Sequence, residues 1–282
     1  MERPLHPILN SARNLTPAMI SGSDLSALDW SHMGAAMALV LVRISVLVAL
    51  APLFSPRAFP ARAKVVFSLA LCWLLMPVVA GVSSGVELSF SAMLGEVLVG
   101  AVYGLSLGLI NEMLQIAGQI VGVQFSFSLV NLLDPASEIQ TPLMADLFQI
   151  LGTLVLFAAG LDRVLLASLV RSFRVVPPGS FPLAASTGVA HLLVPMLSGS
   201  FFAALELAAP VLAATVLVDL SVALLGKLSP QLPVIALTIP LKTMLGFVLL
   251  IGSLALWPRF IEARFSGLLD AAERMISLGG RG

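Results

Sequence analysis

Apolar residues in this chain come in long blocks, and the polar positions between them bound a series of predicted helices. A bilayer hydrocarbon core takes about 20 residues of helix. Residues 33–54 form the first block, interrupted by Arg43, and residues 65–82 form a slightly short second one. Residues 90–110 carry Glu96, and residues 143–160 carry Asp146. Residues 189–225 are too long for one span and contain Pro195, Glu206, Pro210 and Asp219. Residues 232–257 close the series with Pro233, Pro240 and Lys242. Residues 111–140 are half polar and rich in Gly, Gln, Ser and Asn. They are expected to continue the third helix past the membrane level and then turn at Asp134-Pro135.

At the end of the chain, Phe260, Phe265, Leu268, Leu269 and Met275 alternate with Glu262, Arg264, Asp270, Glu273 and Arg274. That period predicts an amphipathic helix lying on a surface or against a partner. The chain thus divides into a polar or interfacial segment 1–32, a hydrophobic helical membrane domain 33–258 and an amphipathic C-terminal helix 259–282. The first 32 residues contain no apolar run of signal-peptide length, so an internal segment is expected to direct insertion. The expected class is all-α, a polytopic membrane protein of helical hairpins.

Composition agrees. Of 282 residues, 59% are hydrophobic and only 11% are charged, against roughly 25% charged in a soluble domain. Mean hydropathy is +1.04. This excludes a cytosolic enzyme and a secreted disulfide scaffold. The 15 basic and 15 acidic side chains cancel, so no basic excess exists to hold nucleic acid. The single cysteine, Cys72, can form no internal disulfide.

Charges inside the apolar blocks need a reason, because each costs roughly 2.5–3.5 kcal/mol at a helix centre on insertion scales. Arg43, Glu96, Asp146, Glu206, Asp219 and Lys242 are all of this kind. Pairing within a bundle or contact with another subunit accounts for them more simply than an ion relay. Glu206 and Asp219 are thirteen residues apart and fall on different helix faces. Loop charges also conflict with simple threading. Arg57, Arg62 and Lys64 form one basic connection, and Arg163, Arg171 and Arg174 form another. If every earlier block crosses once, one of the two violates the positive-inside rule. Either some blocks do not cross, or neighbouring protein shields the chain.

Gly100, Gly104 and Gly108 follow Glu96 at intervals of four residues, and Gly118, Gly122 and Ser126 repeat the spacing. Small side chains at this interval let helices approach backbone to backbone. The stripe serves packing within the chain or a contact face for other subunits. Pro52, Pro56 and Pro60 close the first hairpin, and Pro177-Pro178-Gly179 ends the segment from Leu161.

Chemistry is not encoded in any arrangement that survives inspection. His6, His32 and His191 lack metal-ligand spacing, and no nucleophile elbow, zinc-protease motif or phosphate loop occurs. No enzyme activity and no cofactor are expected.

Several segments taken in order resemble the flagellar biosynthetic protein FliR family and its counterpart in virulence type III secretion. They begin with the Arg43 helix, Ala51-Pro52-Leu53-Phe54 and Pro60-Ala61-Arg62-Ala63-Lys64. Glu96 with Gly100 follows, then residues 117–128, then Asp134-Pro135 and Gln140-Thr141-Pro142. Ser172-Phe173-Arg174-Val175-Val176-Pro177 is similar to the family's Ser-Phe-x-x-x-Pro ending. Leu228-Ser229-Pro230-Gln231-Leu232 and Ile239-Pro240-Leu241-Lys242 complete a match running over about 36–251. Gln119, Ser126, Pro233 and Leu161-Asp162-Arg163 depart from the usual residues.

The resemblance implies a subunit of the export gate in the bacterial inner membrane, within the flagellar basal body. It implies assembly with FliP and FliQ into a hetero-oligomeric helical conduit, joined by FlhB and FlhA on the cytoplasmic side. Unfolded flagellar proteins pass through it, driven by the proton-motive force and a separate ATPase; this chain contacts lipid and supplies no ATP site. Gly118, Gly122, Gln124, Ser126, Ser128 and Asn131 are then the lumen or gate candidates. The virulence export subunit is the nearest alternative. A secondary transporter, with a midplane substrate site among the buried charges, and a purely structural membrane scaffold are the alternatives from other classes.

Overall fold

One helix, Phe90–Gln124, organises the rest, and its 35 residues begin where Ser89 accepts the amide of Ala92 at 3.1 Å. The computed structural model describes residues 30–51, 60–80, 88–125, 143–182, 186–229 and 234–279. Among them every element is an α-helix: α1 Trp30–Leu50, α2 Ala61–Ala80, α3 Phe90–Gln124 and α4 Leu143–Ala158, then α5 Leu161–Val175, α6 Ser186–Leu228, α7 Val234–Ser253 and α8 Trp257–Gly279. The predicted segment 1–32 and the predicted turn at Asp134-Pro135 fall almost wholly outside the described residues.

α3 packs against α1, α4, α6 and α8; α1 also packs on α2, and α7 on α6. At 1.5 Å per residue α3 is about 52 Å long, more than the roughly 30 Å of a hydrocarbon core. The expected continuation of the third block therefore holds as far as Gln124.

One expectation holds and one changes. The block at residues 189–225 is longer than one span, as expected: α6 runs through Pro195 and Pro210 over 43 residues. Each proline removes one backbone bond, but a helix supported by neighbours and lacking competing water keeps its path. The basic stretch after residue 160 is not a loop. Gly160 adopts φ 70°, the chain bends by 71°, and α5 begins at once. Leu161, Leu165, Ser168, Leu169, Ser172 and Phe173 are buried on one face of α5, while Arg163, Arg171 and Arg174 are exposed. The basic cluster thus lies on the exposed face of a helix, beside Val164, Leu166 and Val175, rather than in a loop.

α8 follows α7 after a second bend of 65°. Its apolar face, with Trp257, Ile261, Phe265, Leu269 and Met275, is buried in the bundle rather than laid on an outer surface. Trp257 packs against Phe148 of α4, the rings tilted by 53° with centres 5.0 Å apart. By length and composition three helices can cross a membrane, α1, α3 and α6, or up to five spans if each bent pair counts as one.

Large apolar side chains remain exposed in number. Trp73 and Leu74 on α2, Phe201 and Phe202 on α6, and Met244 and Val248 on α7 are examples. Such faces are stable only against lipid or other protein.

Candidate functional site

The first of the intramembrane charges finds its partner on a helix 53 residues away. Arg43 of α1 and Glu96 of α3 are both fully buried. Arg43 Nε donates to Glu96 Oε2 at 2.5 Å, and Nη2 donates to Oε1 at 3.0 Å, a two-point contact. Arg43 Nη1 donates to Ser172 Oγ at 3.2 Å and Nη2 to the Val176 carbonyl at 3.1 Å. Ser172 in turn donates to the Leu169 carbonyl. Glu96 Oε1 also accepts the Gly179 amide at 2.9 Å. The guanidinium carbon lies 4.4 Å from the centre of the Phe173 ring.

Planar geometry is what lets arginine do this: its fixed fork meets both carboxylate oxygens and leaves donors for α5. Hydrophobic burial cannot drive association between helices that already sit in lipid. A buried polar clasp with matched partners therefore sets which faces of α1, α3 and α5 meet.

The glycines make the clasp reachable. A Cβ on Gly100 would stand 2.6 Å from the Arg43 carbonyl, and one on Gly104 would stand 2.7 Å from Leu50 Cβ. α1 and α3 therefore approach backbone to backbone along the predicted stripe. Gly108 is looser, with its nearest atom at 3.8 Å. Gly179 has φ 79°, a left-handed conformation that turns its amide toward Glu96.

At the other end of α3, Gly118 and Gly122 face the start of α4. A Cβ on Gly118 would meet Ala145 Cα at 2.5 Å, and one on Gly122 would meet Met144 Cβ at 3.3 Å. Gln124 is half-buried in the last turn. Phe125 closes the helix, its amide bonded to the Val121 carbonyl at 3.0 Å. The Phe125 ring is buried against α7, 5.1 Å from the Phe247 ring centre and directly over Gly246. Thr243 Oγ1 stands 3.5 Å from the Phe125 carbonyl. The polar segment thus leaves α3 from a point held by α4 on one side and α7 on the other. Ser126, Ser128 and Asn131 lie outside the described residues.

The remaining charges separate into local pairs. Lys242 Nζ of α7 is 2.6 Å from Asp219 Oδ2 of α6, and Arg264 Nη2 of α8 is 2.5 Å from Glu206 Oε2 of α6. Asp146, in the first turn of α4, is half-buried. Glu206 and Asp219 go to different partners on different helices, and no carboxylate pair forms between them. A polar patch that sequence reading missed joins α5 to α8: Ser168 donates to Glu273 at 3.1 Å, and Arg171 lies 3.4 Å from it. Among the described residues no group of three or more His, Cys, Asp or Glu side chains could hold a metal.

Ser172, Phe173, Val176 and Gly179 were not singled out as site residues, although the Ser172-to-Pro177 motif contains three of them. Phe125 and Gly246 carried no local signal. Among described residues the arrangement supplies anchoring and close packing, with polar side chains at one helix end.

The family model described as bacterial export proteins, family 1, matches residues 35–268. Flagellar biosynthetic protein FliR of Bacillus subtilis (strain 168) is 28% identical over 249 residues, 87% of this chain and 96% of that protein. FliR of Escherichia coli (strain K12) is 27% identical over 239 residues, 84% of this chain and 91% of that protein. FliR of Caulobacter vibrioides is 29% identical over 238 residues, 83% of this chain and 94% of that protein.

Proposed function

The chain belongs to the bacterial export proteins, family 1, the flagellar biosynthetic FliR family, and from that premise we propose the part it plays. It is a membrane component of flagellar protein export. The finer reading is a wall and gate subunit of the inner-membrane conduit, built with FliP and FliQ, served by FlhB and FlhA, and crossed by unfolded flagellar proteins. The flagellar branch is preferred to the virulence branch because the relatives described above are flagellar.

One observation carries the reading: the end of α3, from which a Gln-, Ser- and Asn-bearing sequence follows, is fixed in place. Gly118 is seated on Ala145 and Phe125 is seated on Gly246. A gate needs such a division, a firm root and a polar segment that can hydrate a path without binding one sequence. The polar uncharged side chains of Gln124, Ser126, Ser128 and Asn131 suit that task, with Gly118 and Gly122 in its root, and the clasp at Arg43 and Glu96 belongs to the frame rather than to the path. The exposed apolar faces of α6 and α7 support assembly with further subunits.

Bulky substitutions at Gly122 and Ser126, scored by swimming and by secretion of flagellar proteins, test the assignment. Export falls while the protein still accumulates in the membrane if the segment gates the path. Normal export with Gly122→Trp and Ser126→Trp overturns it.

A further inference from the structure

α2 packs along α1 but only grazes α5, and between them opens a cleft of about 870 Å³. Leu47 and Val48 of α1, Val66 and Leu71 of α2, and Leu165 and Leu169 of α5 form its walls. Its polar lining is different in kind: Arg62 and Lys64 from the first turn of α2, with Asp162 from the first turn of α5. Two cations against one anion leave that rim positive. Neither basic residue belongs to the ion pairs described above, and Arg62 is exposed.

We propose that this cleft is a binding site for an anionic phospholipid, its acyl chains between α2 and α5 and its headgroup phosphate held by Arg62 and Lys64. An apolar interior with positive charge gathered on its rim is the layout that matches an amphiphile with an anionic head. Lys64 is only half-buried, so its stem can lie along the wall while the ammonium reaches the headgroup level. The outer face of α2, including Val65, Leu69, Trp73 and Leu74, is apolar and exposed. The cleft is lined by this same helix, so lipid can enter it from the bilayer.

A partner helix fits these walls less well. Helices dock in membranes where small residues let backbones approach, and Leu, Val and Phe dominate here. The groove between α6 and α8 shows the contrast, for Gly199, Ala203, Ala263, Gly267 and Ala271 line it. Flexible acyl chains fill an irregular space between large side chains at no such cost. The proposal needs only that the chain is embedded in a bilayer, and it goes beyond the export reading.

The test uses the full-length chain, delipidated in mild detergent and titrated with phosphatidylglycerol or phosphatidylcholine under native mass spectrometry. Phosphatidylglycerol should bind in preference. Arg62→Gln with Lys64→Gln should weaken that binding by roughly 30-fold, the loss expected for two basic groups beside an anionic headgroup, and leave phosphatidylcholine unchanged. Leu71→Trp, which fills the cleft and keeps both charges, should weaken both lipids. Helix content by circular dichroism confirms that each variant is folded. Equal binding of the two lipids, or phosphatidylglycerol binding untouched by the charge substitutions, overturns the proposal. A photo-crosslinker at Val66 in living cells should label lipid; labelling of a second polypeptide instead also overturns it.

Discussion

Glutamine at position 96 keeps the shape of the buried glutamate and removes its charge, which isolates the electrostatic part of the clasp. In Glu96→Gln the guanidinium of Arg43 stays fully buried between α1, α3 and α5, now with Ser172, the Val176 carbonyl and the Phe173 ring as its main partners. One amide N–H also faces an arginine N–H. Breaking a buried pair by removing one partner costs about 3–5 kcal/mol, whereas an exposed pair is worth about 0–1 kcal/mol. Both side chains here have no solvent exposure, so the upper class applies. Arg43→Met is expected to cost a similar amount, because it strands the carboxylate with the Gly179 amide alone. The double variant Arg43→Met, Glu96→Met removes both charges and should cost less than either single change. It will not restore full stability, since the buried Val176 carbonyl loses a partner at about 1–3 kcal/mol; the exposed Gly179 amide can turn to solvent. Reversible unfolding in mixed detergent micelles, followed by tryptophan emission, measures all three. A Glu96→Gln penalty below about 1 kcal/mol, or a double variant that costs more than either single change, refutes the reasoning.

Other positions divide by how much room they have. Gly118→Ala puts a methyl against the Ala145 backbone and should cost about 1–3 kcal/mol, while Gly199→Ala, inside α6 and facing open space, should stabilise by up to about 1 kcal/mol; the same unfolding assay compares them. Gly246→Val drives into the Phe125 ring and should lower the yield of folded protein, and Phe125→Ala in the same chain should recover part of it; size-exclusion chromatography of detergent extracts reads both. Asp219→Asn breaks a pair that is partly solvent-exposed on the acidic side. It should change stability in detergent by no more than about 1 kcal/mol, well under the Glu96 effect, and a cost equal to that of Glu96→Gln contradicts this ranking.

Local signals in the sequence carried the helices and the glycine stripe. Gly100 and Gly104 are read correctly as a close-approach face because small residues at intervals of four encode it directly, and here the face serves packing inside the chain. Pairing was not legible in the same way. Nothing in spacing selects Glu96 over Asp146 or Asp219 as the partner of Arg43; that choice belongs to the tertiary arrangement. α5 escaped notice because its basic residues dominate a plain reading, although Leu161, Leu165 and Leu169 repeat at helical spacing. α6 shows a different limit: its length was legible, but nothing local says that the helix runs on through Pro195 and Pro210. The Phe125 seat depends on a glycine 121 residues away, so no window along the chain can contain it.

Native mass spectrometry of this chain, produced alone and then together with FliP and FliQ of the same organism, bears most directly on the conduit reading. The account predicts a stable mixed complex in which this chain is the minority subunit. A well-behaved monomer or homodimer that ignores both partners would contradict it.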